Sequence, residues 1–105
     1  MKRVIIETPY AGGVKENVEY ARECMLDCLK RGETPFASHL LYTQCLDDTV
    51  PQERILGINA GFDWREVAEY TVVYVDAGIS GGMQKGIEHA NKIGHKIEYR
   101  NLNKR

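Results

Sequence analysis

The chain has 105 residues, 43% of them apolar and 28% charged, which suits one domain over residues 1–105 and leaves too little chain for two independent cores. A net charge of −1 gives no electrostatic pull towards nucleic acid or an anionic membrane surface. No apolar run approaches the length of a membrane span, and Met1-Lys2-Arg3 leads straight into a short strand-like run without the pattern of a signal peptide, so a cytoplasmic location is expected.

Residues 3–7 (RVIIE) are a β-branched apolar run stopped by Thr8-Pro9-Tyr10-Ala11-Gly12-Gly13, the pattern of a buried strand entering a Pro/Gly loop. From Val14 the period becomes helical, with Val14, Val18, Ala21, Met25 and Cys28 on one stripe and Lys30-Arg31-Gly32 as the helix end. Cys24, Cys28 and Cys45 form an odd set without a paired framework, which points to reduced thiols. They lack companion ligands at metal-binding spacing, so neither a metal nor a cofactor is expected.

Residues 34–38 (TPFAS) read as a second strand, placed at an edge by Pro35. Residues 39–46 are ambiguous and fit a short helical turn. Asp47-Asp48-Thr49-Val50-Pro51 starts a helix over 51–69, with Ile55, Ile58, Phe62 and Val67 as inward candidates. Gly57 and Gly61 weaken that helix by roughly 1 kcal/mol each relative to Ala. Their spacing suggests a close approach to something, another subunit being one candidate. Residues 71–75 (TVVYV) are the clearest strand, and Asp76-Ala77-Gly78-Ile79-Ser80-Gly81-Gly82 turns into a helix carrying Met83, Ile87 and Ala90 on one face. Gly94 closes that helix, residues 95–99 make a last strand, and the polar tail 100–105 is expected to fray. The β-α-β-α-β-α-β order implies an α/β fold: a small open parallel sheet of about four strands with helices on both faces, flavodoxin- or Rossmann-like.

In such sheets ligands bind beyond the carboxyl ends of the strands, at the point where strand order reverses. Three loops converge there and supply the candidate ligand-binding residues: Thr8, Pro9, Tyr10 and Gly12; Ser38 and His39; Asp76, Gly78, Ser80, Gly81, Gly82, Met83 and Gln84. Gly78, Gly81 and Gly82 allow close backbone approach to a ligand. Ser80 or Gly81 caps a helix whose free N–H groups favour a phosphate or carboxylate. Turn and cap roles alone explain the same glycines. Tyr10 either stacks on a base or covers the sheet end, and His39 is an acid, a base or a structural hydrogen-bonder. Phe62 and Trp64 suit core or subunit interface better than ligand contact.

These residues carry a resemblance. Thr8-Pro9-Tyr10 after a strand, and Asp76-x-Gly78-x-Ser80 followed by Gly86 and Gly94-His95-Lys96-Ile97, are similar to motifs of the nucleoside 2-deoxyribosyltransferase-like superfamily, particularly its short phage and bacterial members of unknown function. The resemblance implies a nucleotide-like ligand and a homo-oligomer. The family's nucleophilic Glu, two residues before the helical Gly, falls on Gln84, and a neutral amide cannot form a glycosyl ester; Glu88 lies one turn further along. The resemblance therefore implies a protein that binds, and sequesters, a nucleotide-derived small molecule. The free N–H groups of the helix start place a phosphate against residues 80–83, and Asp76, an anion at the same sheet edge, is expected to face a sugar hydroxyl. The alternatives are an enzyme acting at a nucleotide N-glycosidic bond and an interaction domain with a vestigial pocket.

Overall fold

The computed structural model describes residues 1–102. The elements are β1 (Lys2–Glu7), α1 (Val14–Lys30), β2 (Glu33–Phe36), α2 (Ser38–Leu41), a 3₁₀ turn (Tyr42–Gln44), α3 (Pro51–Val67), β3 (Tyr70–Tyr74), α4 (Gly81–Lys92) and β4 (Lys96–Arg100). All four strands pair in parallel, in the order β2-β1-β3-β4. The fold is thus the expected α/β class. From β1 the chain steps outward to β2 and then returns to β3 on the other side, so strand order reverses between β1 and β3. That is where an open parallel sheet leaves a crevice at its carboxyl edge.

The period-2 alternation of strands sorts the core onto two faces. Val4 and Ile6 of β1 and Val72 and Tyr74 of β3 point to α1, where they meet Cys24 and Cys28. Val73 points the other way and packs on Met83 and Ile87 of α4. The first turn of α1 overhangs the carboxyl edge, so Val14 is exposed and the buried line shifts to Ala21, Cys24 and Cys28. In α3, Ile58 and Phe62 are half-buried, whereas Ile55 and Val67 are exposed. The inward face of α3 is built instead around Gly61 and a buried cation, Arg65. The close approach suggested by Gly57 and Gly61 is internal. A Cβ at Gly61 would stand 2.8 Å from Ser38 Oγ, and one at Gly57 would stand 3.3 Å from Leu46 Cδ1.

Arg100, expected in a frayed tail, is instead the buried end of β4. Its Nη1 and Nη2 donate to Glu33 Oε1 and Oε2 at 2.8 and 2.6 Å, and its Nε donates to Glu98 at 2.7 Å. Tyr70 also donates to Glu33. Held chiefly by Arg100, the Glu33 carboxyl falls to about 2. Leu102, two residues on, is held by its backbone amide to Asp76, and residues 103–105 of the expected frayed tail lie outside the described residues. Removing only one member of this pair strands a buried charge. Arg100→Ala should therefore lower unfolding stability by about 3–5 kcal/mol in urea titrations. The double change Glu33→Leu/Arg100→Leu, which removes both charges, should cost less than the single one.

Candidate functional site

A cleft of about 370 Å³ opens at the carboxyl edge of the sheet. Its walls come from the β1–α1 loop, α2 with the 3₁₀ turn, the first half of α3 and the start of α4. Of the residues singled out in the sequence, Thr8, Tyr10, Ser38, His39, Ser80, Gly81, Gly82 and Met83 line it. Pro9 is buried beside it, and Gly12 lies in the exposed loop beyond, where its φ of +93° serves the turn.

The remaining three candidates stand elsewhere, each for a local reason. Asp76 is consumed by the chain itself: Tyr20 Oη donates to its Oδ1 at 2.6 Å, and the Leu102 amide reaches both carboxylate oxygens at 3.0 Å. Gly78 has a φ of +82° and shapes the turn after β3 without bordering the cleft. Gln84 is exposed on the first turn of α4, outside the cleft, with its amide bonded to Ser80 O at 2.9 Å. Glu88, one turn on, is exposed and does not line the cleft either.

At one end of the cleft, Ser80 caps α4 by accepting from the Met83 amide at 3.2 Å. Gly81 and Gly82 are exposed there, leaving their backbone open. Arg54 reaches across from α3. Its Nη1 pairs with Asp48 at 2.9 Å, and its Nη2 lies 3.7 Å from where a Cβ of Gly82 would sit. Lys85 also lines the cleft. Arg54 and a helix N-terminus therefore meet at this end, and Asp48 and Glu53 are acidic counterweights on the same lining. Neither Arg54 nor Lys85 belongs to a sequence pattern; only the crossing of α3 over the start of α4 brings them together.

The floor of the cleft is titratable. Thr8 Oγ1 and His39 Nε2 share a hydrogen bond at 2.6 Å, and the Tyr10 ring stands edge-on to the imidazole with centroids 6.2 Å apart. Burial pushes His39 down to about 4, so the ring is neutral at physiological pH. Beside it, Glu7 ends β1 and ion-pairs with Arg65, whose Nη1 also holds the Gly86 carbonyl at 2.5 Å. Burial raises the Glu7 carboxyl to about 7, against the opposing pull of Arg65. In the sequence Glu7 reads only as the last residue of a strand. The available signal was a carboxylate closing a buried apolar run at the edge where ligands bind.

Among the described residues no group of three or more His, Cys, Asp or Glu is placed to hold a metal, and no helix is long and apolar enough to cross a membrane.

Glu7 and His39 bias stability in opposite directions over nearly the same pH range. The raised Glu7 favours folding below its ordinary 4.5 and loses that contribution as pH rises to about 7. The lowered His39 favours folding above its ordinary 6.5 and loses that contribution as pH falls to about 4. The two effects largely offset in the wild-type chain. In urea unfolding from pH 4.5 to 6.5, Glu7→Gln should gain stability with rising pH, and His39→Gln should lose it.

Compared with known families, residues 2–100 match the model described as a domain of unknown function, DUF7768, and the chain belongs to that family. No curated protein and no solved structure matches it.

Proposed function

We propose that this domain binds a nucleotide-derived small molecule in the cleft at the carboxyl edge of its sheet, with the phosphate at the start of α4. The observation that carries this reading is the meeting of Arg54 and the open α4 N-terminus at one end of a cleft of about 370 Å³ that Lys85 also lines. The volume suits a small ligand, and the charge arrangement suits an anion. Backbone N–H groups of Gly81 and Gly82 would supply directional donors, while Arg54 would add a planar cation able to grip two phosphate oxygens. Tyr10 and the neutral His39 offer ring surface at the other wall for a base.

The motif similarity to nucleoside 2-deoxyribosyltransferase-like proteins supports the same ligand class, and with it the sequestration of a nucleotide signal by a cytoplasmic, phage-type protein. That resemblance does not extend to the transferase chemistry, because the corresponding position is the exposed amide Gln84. An enzymatic reading draws on Glu7, a carboxyl poised near neutrality in the cleft. Release of free base from a nucleoside monophosphate by the wild-type protein, lost in Glu7→Gln, would favour it over binding alone.

The homo-oligomer belongs to the same proposal. The outer face of α3 exposes Leu56, Trp64 and Val67, with Trp64 braced by Phe36 and by a 2.8 Å bond to Tyr42 Oη. A dimer packed through this face should give twice the monomer mass by light scattering at micromolar concentration, and Leu56→Asp should return it to monomer.

The ligand assignment is tested by calorimetric titration. Adenosine 5′-monophosphate should bind at least about tenfold more tightly than adenosine, since hydrogen bonds to charged groups contribute ~1.5–3 kcal/mol. Arg54→Ala should erase most of that difference. Gly82→Asp, which places bulk and like charge at the α4 N-terminus, should abolish binding with the thermal melt preserved. Equal affinity for the nucleoside and its phosphate would remove the phosphate site.

A further inference from the structure

Glu7 has one oxygen committed and one free. Its Oε2 accepts from Arg65 Nη2, and Arg65, at 2% side-chain exposure and bonded to the Gly86 carbonyl, is fixed in place. Glu7 Oε1 makes no hydrogen bond among the described residues, although the side chain is only 14% exposed and lines the cleft. The polar groups nearest on each packed element do not take it. From the strand's own loop, Thr8 is engaged with His39. From α3, Arg65 holds the other oxygen, and Arg54 is paired with Asp48. From α2 and α4, Ser38 and Lys85 line the same cleft without bonding it. This oxygen is open to the cleft but belongs to a side chain that is otherwise shielded, so a donor arriving with a ligand gains more here than at a fully exposed carboxylate.

The position of this oxygen relative to the phosphate end is set by α4. A Cβ at Gly86 would stand 2.6 Å from Glu7 Oε1, so the missing side chain at 86 is what lets the carboxyl lie against the helix. Gly82, at the anion-favouring end, is one turn before Gly86, which places its Cα roughly 6 Å away along the axis. A single pentose spans such a gap between its phosphate ester and its ring hydroxyls. Asp76, the carboxylate expected from its place at the sheet edge to face a sugar hydroxyl, already accepts from Tyr20 and Leu102.

We propose that Glu7 Oε1 is the acceptor for a sugar hydroxyl, so that the cleft selects phosphorylated sugars with a free 2′- or 3′-hydroxyl over phosphate esters that lack one. This rests on the nucleotide-binding reading and names the part of the ligand that reading leaves open. The experiment is a titration of the wild-type protein with adenosine 5′-monophosphate and with its 2′,3′-dideoxy counterpart, repeated on Glu7→Ala and Arg54→Ala, with thermal melts as the folding control. The wild type should prefer the ribonucleotide by roughly tenfold or more. Glu7→Ala, which removes the acceptor, should bind both compounds alike, close to the wild-type affinity for the dideoxy compound, whereas Arg54→Ala should weaken both and keep the preference. Equal wild-type affinity for the two compounds, with both weakened by Arg54→Ala, would overturn the Glu7 assignment and leave the phosphate site standing. No binding of either compound would overturn both. Equal wild-type affinities overturn the assignment even if the Glu7 variant fails to fold.

Discussion

The contact on which the carboxyl edge depends is that of the Glu7 carboxyl with the backbone of α4 at Gly86. Any side chain at position 86 would occupy the space of that carboxyl, so the absence of a Cβ sets how closely α4 can lie on β1. Arg65 then closes the arrangement from α3, holding Glu7 with one nitrogen and the Gly86 carbonyl with another. Three elements are therefore fixed to one another at the strand-order reversal, and the cleft is the space left above them. Its volume, its polarity and the angle at which α3 brings Arg54 over α4 all follow from this junction.

The opposite face of the sheet shows a different use of buried charge. Under α1, Arg100 and Glu33 satisfy one another bidentately, with Tyr70, Tyr74, Asp27 and Glu98 filling the remaining positions. No carboxylate oxygen of Glu33 is left waiting for a partner. At the carboxyl edge, among the described residues, Glu7 bonds through Oε2 alone and Arg65 keeps a buried Nε without a partner. A saturated network stiffens a core, while an unsaturated one at the wall of a cleft gives a ligand something to complete.

The fold was legible in the chain because its signals are local. The β-branched runs at residues 3–7 and 71–75, the Pro/Gly loop after Glu7 and the Ser80 cap each specify an element without help from distant residues. What was not legible depends on pairings far apart in sequence. Arg100 looked like tail because nothing near it announces Glu33, 67 positions away. Gly57 and Gly61 signalled close packing correctly in kind, but only the structure shows that the partner is the segment around α2. Asp76 sits at the edge where motif logic put it, yet Tyr20 and the backbone of Leu102 reach it first. Arg54 and Lys85, lacking any motif, entered the site only through the crossing of two helices.

A nucleotide phosphate docked at the start of α4, as proposed, would be reported residue by residue by backbone amide chemical shifts. In ¹H–¹⁵N spectra of the labelled wild-type protein titrated with adenosine 5′-monophosphate, the largest shifts should fall on Gly81, Gly82 and Met83, with smaller ones at Thr8, Ser38 and His39. Asp76, Gly78 and Gln84, outside the cleft, should move less than these. Spectra left unchanged at millimolar nucleotide, or shifts concentrated on α1 and the outer face of α3, would contradict the account.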